Sequence, residues 1–105
     1  MSASTRKLFI GEYLFREGDH SKNIYLIQSG CIGIQKKRGD SQIEIAKLYS
    51  NEVLGELSFF DRLPRSASAV ALMETELVEI SFDSLDKIYK KVPTYMKTIM
   101  VAVAD

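Results

Sequence analysis

From Lys7 to Ser81 the chain is built of short apolar runs, separated at close spacing by glycine or polar turns, and this rhythm constrains the fold most. Lys7–Ile10 and Tyr13–Arg16 flank Gly11-Glu12. Asn23–Ser29 and Ile32–Lys37 flank Gly30, and Gln42–Tyr49 follows the turn-rich Arg38-Gly39-Asp40-Ser41. Ser66–Leu72 and Glu76–Ser81 complete the series, which predicts about eight short strands arranged as a sandwich, jelly roll or barrel. Within Gln42–Tyr49, Ile43 and Ile45 first alternate with Glu44, after which Ala46 and Leu48 take the apolar parity. A bulge or a change of sheet face near Ala46 explains the slip, because one extra residue turns every later side chain over.

The period changes after Ser81. Phe82, Leu85, Ile88, Tyr89 and Val92 recur at helical spacing, with Ser81 as N-cap and Asp83 in the first turn. Pro93 suits the first turn of a second helix, whose apolar stripe is Met96, Ile99, Met100 and Val103, running to Asp105 without a capping residue. That stripe needs a partner surface: a bound ligand, the barrel or a second subunit.

At 105 residues the expectation is one domain, residues 1–105, with one core. Lys and Arg total 14 and Asp and Glu total 14, so broad electrostatic attraction to nucleic acid or to a membrane is not expected, whereas a local anion site is. One Cys (Cys31) and one His (His20) argue against a disulfide framework, a zinc site or a histidine-rich metal enzyme. Neither a signal core nor a bilayer-length apolar run is present, so the expectation is a soluble, cytoplasmic chain.

The chemistry concentrates in Val53–Leu72. Gly55 permits close approach of backbone to a ligand, Glu56 follows, and Leu57–Phe60 can form a helical turn whose N–H groups favour an anion. Arg65 comes after Pro64 and before the small residues Ser66, Ala67, Ser68, Ala69 and Ala71, which leave room beside the strand. An acid, a base and a helix start around a small-walled space suit a ligand with one anionic group and a sugar-like hydroxyl. The same residues also admit a plainer reading, with Arg65 solvated, Gly55-Glu56 a turn and helix start, and Ser66 and Ser68 on an edge strand.

Gly55-Glu56-Leu57-Ser58-Phe59 and Arg65-Ser66-Ala67-Ser68-Ala69-Val70-Ala71 together resemble the phosphate-binding cassette of cyclic nucleotide-binding domains. Leu14-Phe15-Arg16-Glu17-Gly18-Asp19 followed by Asn23-Ile24-Tyr25-Leu26-Ile27-Gln28-Ser29-Gly30 resembles that family's second signature. The resemblance implies a mainly β fold, about eight strands wound as a double-stranded β-helix (a jelly-roll-like barrel), with a short cassette helix and C-terminal helices. It implies ligand contacts from Gly55, Glu56, Leu57, Ser58, Arg65, Ser66, Ala67 and Ser68. Arg65 would clamp the cyclic phosphate, Glu56 would accept from the ribose 2′-hydroxyl, and N–H groups near Leu57, Ser58 and Ser66 would complete the cradle. Glu56 and Arg65 are expected to steady each other in the empty state.

Ser58 and Phe59 depart from the residues common at those positions of the family but are compatible with the cassette, and Ser21 stands where the family often has Gly or Ala. The implied function is a regulatory module without enzymatic activity or cofactor. Its ligand would be a cyclic nucleotide, cAMP before cGMP, and it would signal through its terminal helices. Expected partners beyond the nucleotide are a second copy in a homodimer, or an effector domain or protein outside this chain. The alternative is a domain of this kind that has lost its ligand and serves protein interaction or dimerisation; retention of both Glu56 and Arg65 weighs against it.

Overall fold

A computed structural model describes residues 3–104, with side chains through Ala102. The chain ends Met1–Ser2 and Asp105, and the Val103 side chain of the apolar stripe, lie outside what the structure describes. Eight strands are present: β1 (Ala3–Leu8), β2 (Tyr13–Phe15), β3 (Asn23–Ser29), β4 (Ile32–Arg38), β5 (Ser41–Leu48), β6 (Val53–Leu54), β7 (Ser68–Ala71) and β8 (Thr75–Ser81). Helix α1 (Glu56–Asp61) sits between β6 and β7, and α2 (Phe82–Tyr89) and α3 (Thr94–Ala104) follow β8.

The strands form two four-stranded antiparallel sheets, ordered β1-β8-β3-β6 and β2-β7-β4-β5. Chain neighbours such as β7 and β8 thus lie in different sheets, the winding of a jelly roll. No ladder joins the sheets among the described residues, so the roll is an open pair of sheets, the jelly roll among the three architectures the sequence allowed. Between them lies one core of Leu8, Leu14, Tyr25, Ile27, Ile32, Leu54, Ala69, Ala71 and Leu77.

The parity slip in β5 is a bulge. Gln35 pairs with Glu44 and Ile34 with Ala46, leaving Ile45 as the extra residue. Ile43, opposite Lys36, and Ala46 and Leu48, opposite Ile34 and Ile32, therefore share the inner face. The bulge is what delivers Leu48 to the interior.

The first strand lies earlier than Lys7–Ile10. Antiparallel pairing with β8 runs from Ala3↔Ile80 to Leu8↔Thr75, and the polar residues of this exposed edge strand conceal it from an apolar-run reading. Phe9 and Ile10 instead form a turn, closed by Glu12 N–H to the Phe9 carbonyl at 3.0 Å and Phe9 N–H to Glu12 Oε1 at 2.7 Å, and both side chains are exposed. Ser66 and Ala67 likewise lie before β7 rather than in it.

Ser81 caps α2, its Oγ accepting from Ser84 N–H at 3.1 Å, with Asp83 in the first turn. Phe82 is buried, and its ring meets Phe59 of α1 edge-on at 5.5 Å; Phe59 and Phe60 also meet Tyr89 edge-on, at 5.8 and 5.9 Å. Ile88, predicted on the packed face, is half exposed, because α2 lies against this aromatic cluster through Phe82 and Tyr89. Tyr95, Met96, Ile99 and Met100 of α3 are exposed. No helix among the described residues is long and apolar enough to cross a membrane.

Candidate functional site: a buried arginine behind an open cavity

A cavity of about 230 Å3 opens where the two sheets meet the β6–α1 turn. Leu54, buried and paired with Tyr25 of β3, anchors the end of β6. The backbone then turns through Gly55 at φ 90, a left-handed conformation that suits glycine, and α1 begins at Glu56. The helix ends at Arg62, itself left-handed at φ 60, whose N–H donates to the Ser58 carbonyl at 3.0 Å. Pro64 and Arg65 follow, bringing the chain back across the cavity.

Arg65 is 5% exposed. Its Nη1 donates to the Gly55 carbonyl at 3.2 Å and its Nη2 to the Asn23 carbonyl at 2.7 Å, while the guanidinium lies 4.2 Å from the centre of the Phe15 ring. Its backbone is held from both sides: Arg65 N–H donates to the Asp19 carbonyl, and Gly18 N–H donates to the Arg65 carbonyl, each at 2.8 Å. Burial pulls the guanidinium below its ordinary pKa, against the opposing pull of Tyr25, Asp19 and Glu56. No carboxylate lies within 4.0 Å of it among the described residues. Arg65 and Glu56 form no contact ion pair, so Glu56 steadies the arginine only through its charge at longer range; two backbone carbonyls and an aromatic face hold the arginine directly. Such a cation, desolvated and only partly compensated, favours an incoming anion.

Gly55, Glu56, Leu57, Ser58, Arg65, Ser66 and Ala67 all line this cavity. Glu56 is half-buried at the start of α1, and the N–H groups of a helix's first turn have no partners within the helix. Ser68 does not line the cavity. It pairs with Gln35 on the outer side of its sheet, opposite in parity to Ala67 and Ala69, and its Oγ accepts from Glu17 N–H at 2.8 Å. Ser68 thus tethers the Arg16–Asp19 turn that brackets Arg65.

Phe15, Ile34, Leu48, Val53 and Leu54 complete the lining and supply its apolar wall. Sequence reasoning did not single these out as site residues, nor Asn23, whose carbonyl holds Arg65. The signals that could have found them were the Leu14–Asp19 and Asn23–Gly30 motif, which contains Phe15 and Asn23, and the parity slip that turns Leu48 inward. No described residue of α3 lines the cavity.

A small antiparallel jelly roll that sets a buried arginine and a helix start against a cavity has the architecture of a small-ligand-binding module. The chain belongs to the cyclic nucleotide-binding domain family, whose model matches residues 5–92. Among curated proteins it is 36% identical to an anaerobic regulatory protein of Bacillus subtilis, over 81% of this chain and 37% of that protein. It is 30% identical to the cyclic AMP receptor protein of Thermus thermophilus, over 90% of this chain and 44% of that protein. The crystal structure of the Thermus thermophilus catabolite activator protein superposes with a TM-score of 0.84 at 28% identity, covering 97% of this chain and 48% of that one. The chain thus spans less than half the length of these relatives.

Proposed function

We propose that this domain binds a cyclic nucleotide, cAMP in preference to cGMP, and reports occupancy by moving its terminal helices. The observation that carries the reading is Arg65: a buried guanidinium without a carboxylate partner among the described residues, facing a cavity. A cyclic phosphate supplies the missing charge, bound by Arg65 and by N–H groups at Leu57, Ser58 and Ser66. Glu56 accepts from the ribose 2′-hydroxyl, and Gly55, Ala67 and the apolar wall leave room for the sugar. The base lies toward Ile34, Leu48 and Val53, whose side chains offer no hydrogen bond to the guanine edge. That wall, together with the likeness to a protein named for cyclic AMP, supports cAMP; Ser66 is the lining hydroxyl after the arginine through which cGMP could also be held.

Transmission runs from the cassette to α2. Arg62 pairs with Asp86 at 2.7 Å, and its guanidinium lies 5.0 Å from the Phe59 ring centre and 5.2 Å from that of Phe82. Movement of α1 on ligand binding therefore acts on α2, and through the Tyr89 hydroxyl, 3.4 Å from the Lys97 carbonyl, on α3. The domain acts by binding and not by chemistry. Its balanced charge supports a reading in which it contacts neither nucleic acid nor membrane directly, with output through a second copy or an effector segment or protein.

Calorimetric titration with cAMP and cGMP side by side tests the proposal. Saturable binding of both, tighter for cAMP, is expected. Absence of binding by either at millimolar concentration overturns the ligand reading and favours a protein-interaction role.

A further inference from the structure

Close to Arg65, polar side chains meet on the inner face of the β1-β8-β3-β6 sheet. Glu79 of β8 lies directly opposite Tyr25 of β3, and Leu77 on the same face lies opposite Ile27, both fully buried. Two residues further along the strand, with the same inward parity, Glu79 is an acid at the edge of the core, its side chain 23% exposed. Burying a carboxylate this far costs free energy unless it is used, so its contacts matter.

Glu79 Oε1 accepts from Arg6 Nη1 of β1 at 3.3 Å and from the Asn23 side-chain amide at 3.4 Å. Asn23 is the residue whose carbonyl takes Arg65 Nη2 at 2.7 Å. Tyr25, opposite Glu79, presents its ring 5.9 Å from the Arg65 guanidinium. Burial, and then the neighbouring Glu79 carboxylate, push the Tyr25 hydroxyl up in pKa, and the phenol hydrogen-bonds with that carboxylate. Two of the groups that border the arginine, the Asn23 carbonyl and the Tyr25 ring, are thus tied to one carboxylate.

We infer that Glu79 is a positioning residue for anion binding, which orients the Arg65 guanidinium through Asn23 and Tyr25 and makes strand β1, through Arg6, part of the site's support. The inference rests on the cyclic nucleotide reading above and adds to it a carboxylate that touches no ligand. The carboxylate accepts from Asn23 and thereby fixes the carbonyl face that Asn23 turns to Nη2. Freed from it, Asn23 and Tyr25 can shift, and the fork of Arg65 loses its fixed aim at the phosphate oxygens.

The test compares Glu79→Ala and Glu79→Gln with the unmutated domain, using cAMP and the Rp and Sp phosphorothioate analogues. These two analogues differ only in which exocyclic phosphate oxygen is replaced by sulfur, so their affinity ratio reads the aim of Arg65. Circular dichroism and a thermal melt establish that each variant is folded. Glu79→Ala is expected to bind cAMP about tenfold more weakly, the worth of one charge-assisted hydrogen bond, and to bring the Rp/Sp ratio toward unity. Glu79→Gln keeps an acceptor for Asn23 and is expected to recover most of both. Unchanged affinity in folded Glu79→Ala overturns the inference, and so does a weakened affinity with an unchanged ratio, which marks general loosening. Should Glu79→Ala fail to fold, Glu79→Gln decides it together with Asn23→Ala: a ratio kept in the first and narrowed in the second supports the relay, and any other pairing overturns it. Absence of cAMP binding by the unmutated domain overturns the functional reading instead, so the two failures are distinct.

Discussion

The backbone of Gly55 and the guanidinium of Arg65 are in direct contact: Nη1 donates to the Gly55 carbonyl at 3.2 Å, and a methyl group added at position 55 would stand 2.5 Å from that same nitrogen. Glycine is required here twice over, by its left-handed φ of 90 and by the arginine lying against it. Gly55→Ala is therefore expected to destabilise the fold by ~1–2 kcal/mol, the cost of a left-handed residue with a side chain. It is also expected to displace Arg65. Denaturant melts and cAMP titration of the same variant check both, and wild-type-like affinity in Gly55→Ala would refute the close packing of 55 on 65.

Arg65→Ala is expected to abolish measurable cyclic nucleotide binding and to leave the domain folded. The bound phosphate would lose its charge-assisted donors, a cost of ~2–5 kcal/mol by analogy with buried charge pairs. Folding survives because Arg65 lines a cavity wall, whereas the core between the sheets is made by residues such as Ile27, Ile32 and Leu77. Titration with circular dichroism as control measures this, and retained affinity would remove the arginine from the site.

Glu56 is tested by removing its proposed partner atom from the ligand. The 2′-deoxy nucleotide should bind the unmutated domain roughly ten- to a hundredfold more weakly than cAMP, as loss of a hydrogen bond to a charged group implies. Glu56→Ala should erase most of that difference. A coupling below ~0.5 kcal/mol over the two proteins and two ligands would make Glu56 a helix-start residue only.

Ligand is expected to slow hydrogen exchange in α3, whose apolar residues Tyr95, Met96, Ile99 and Met100 are exposed and whose described residues do not line the cavity. The effect should depend on the Arg62–Asp86 pair. That pair is half exposed, so Arg62→Ala costs at most ~1 kcal/mol of stability, yet it should blunt the ligand-induced protection of α2 and α3. Equal, slow exchange with and without cAMP would make α3 a fixed strut.

What the sequence determined by itself was what depends on near neighbours. Alternation and turn residues located β3 to β5 and β8, Ser81 declared itself a cap by its place before a helical stripe, and the parity slip pointed to a bulge or a change of face near Ala46, which the pairing resolves as a bulge at Ile45. Gly55, Glu56 and Arg65 stood out because the cassette is one short continuous segment. The tertiary structure decided everything that rests on strand order. It placed the Asn23 carbonyl on a guanidinium 42 residues away, a contact added to the longer-range pull of Glu56. It turned Ser68 to Glu17 and away from the cavity, hid β1 in a polar segment that β8 pairs along its whole length, and left the roll open. The division has a physical cause. Side-chain periodicity and capping are local consequences of backbone geometry, whereas which polar group meets a buried charge depends on packing between segments whose separation in sequence carries no trace of their contact.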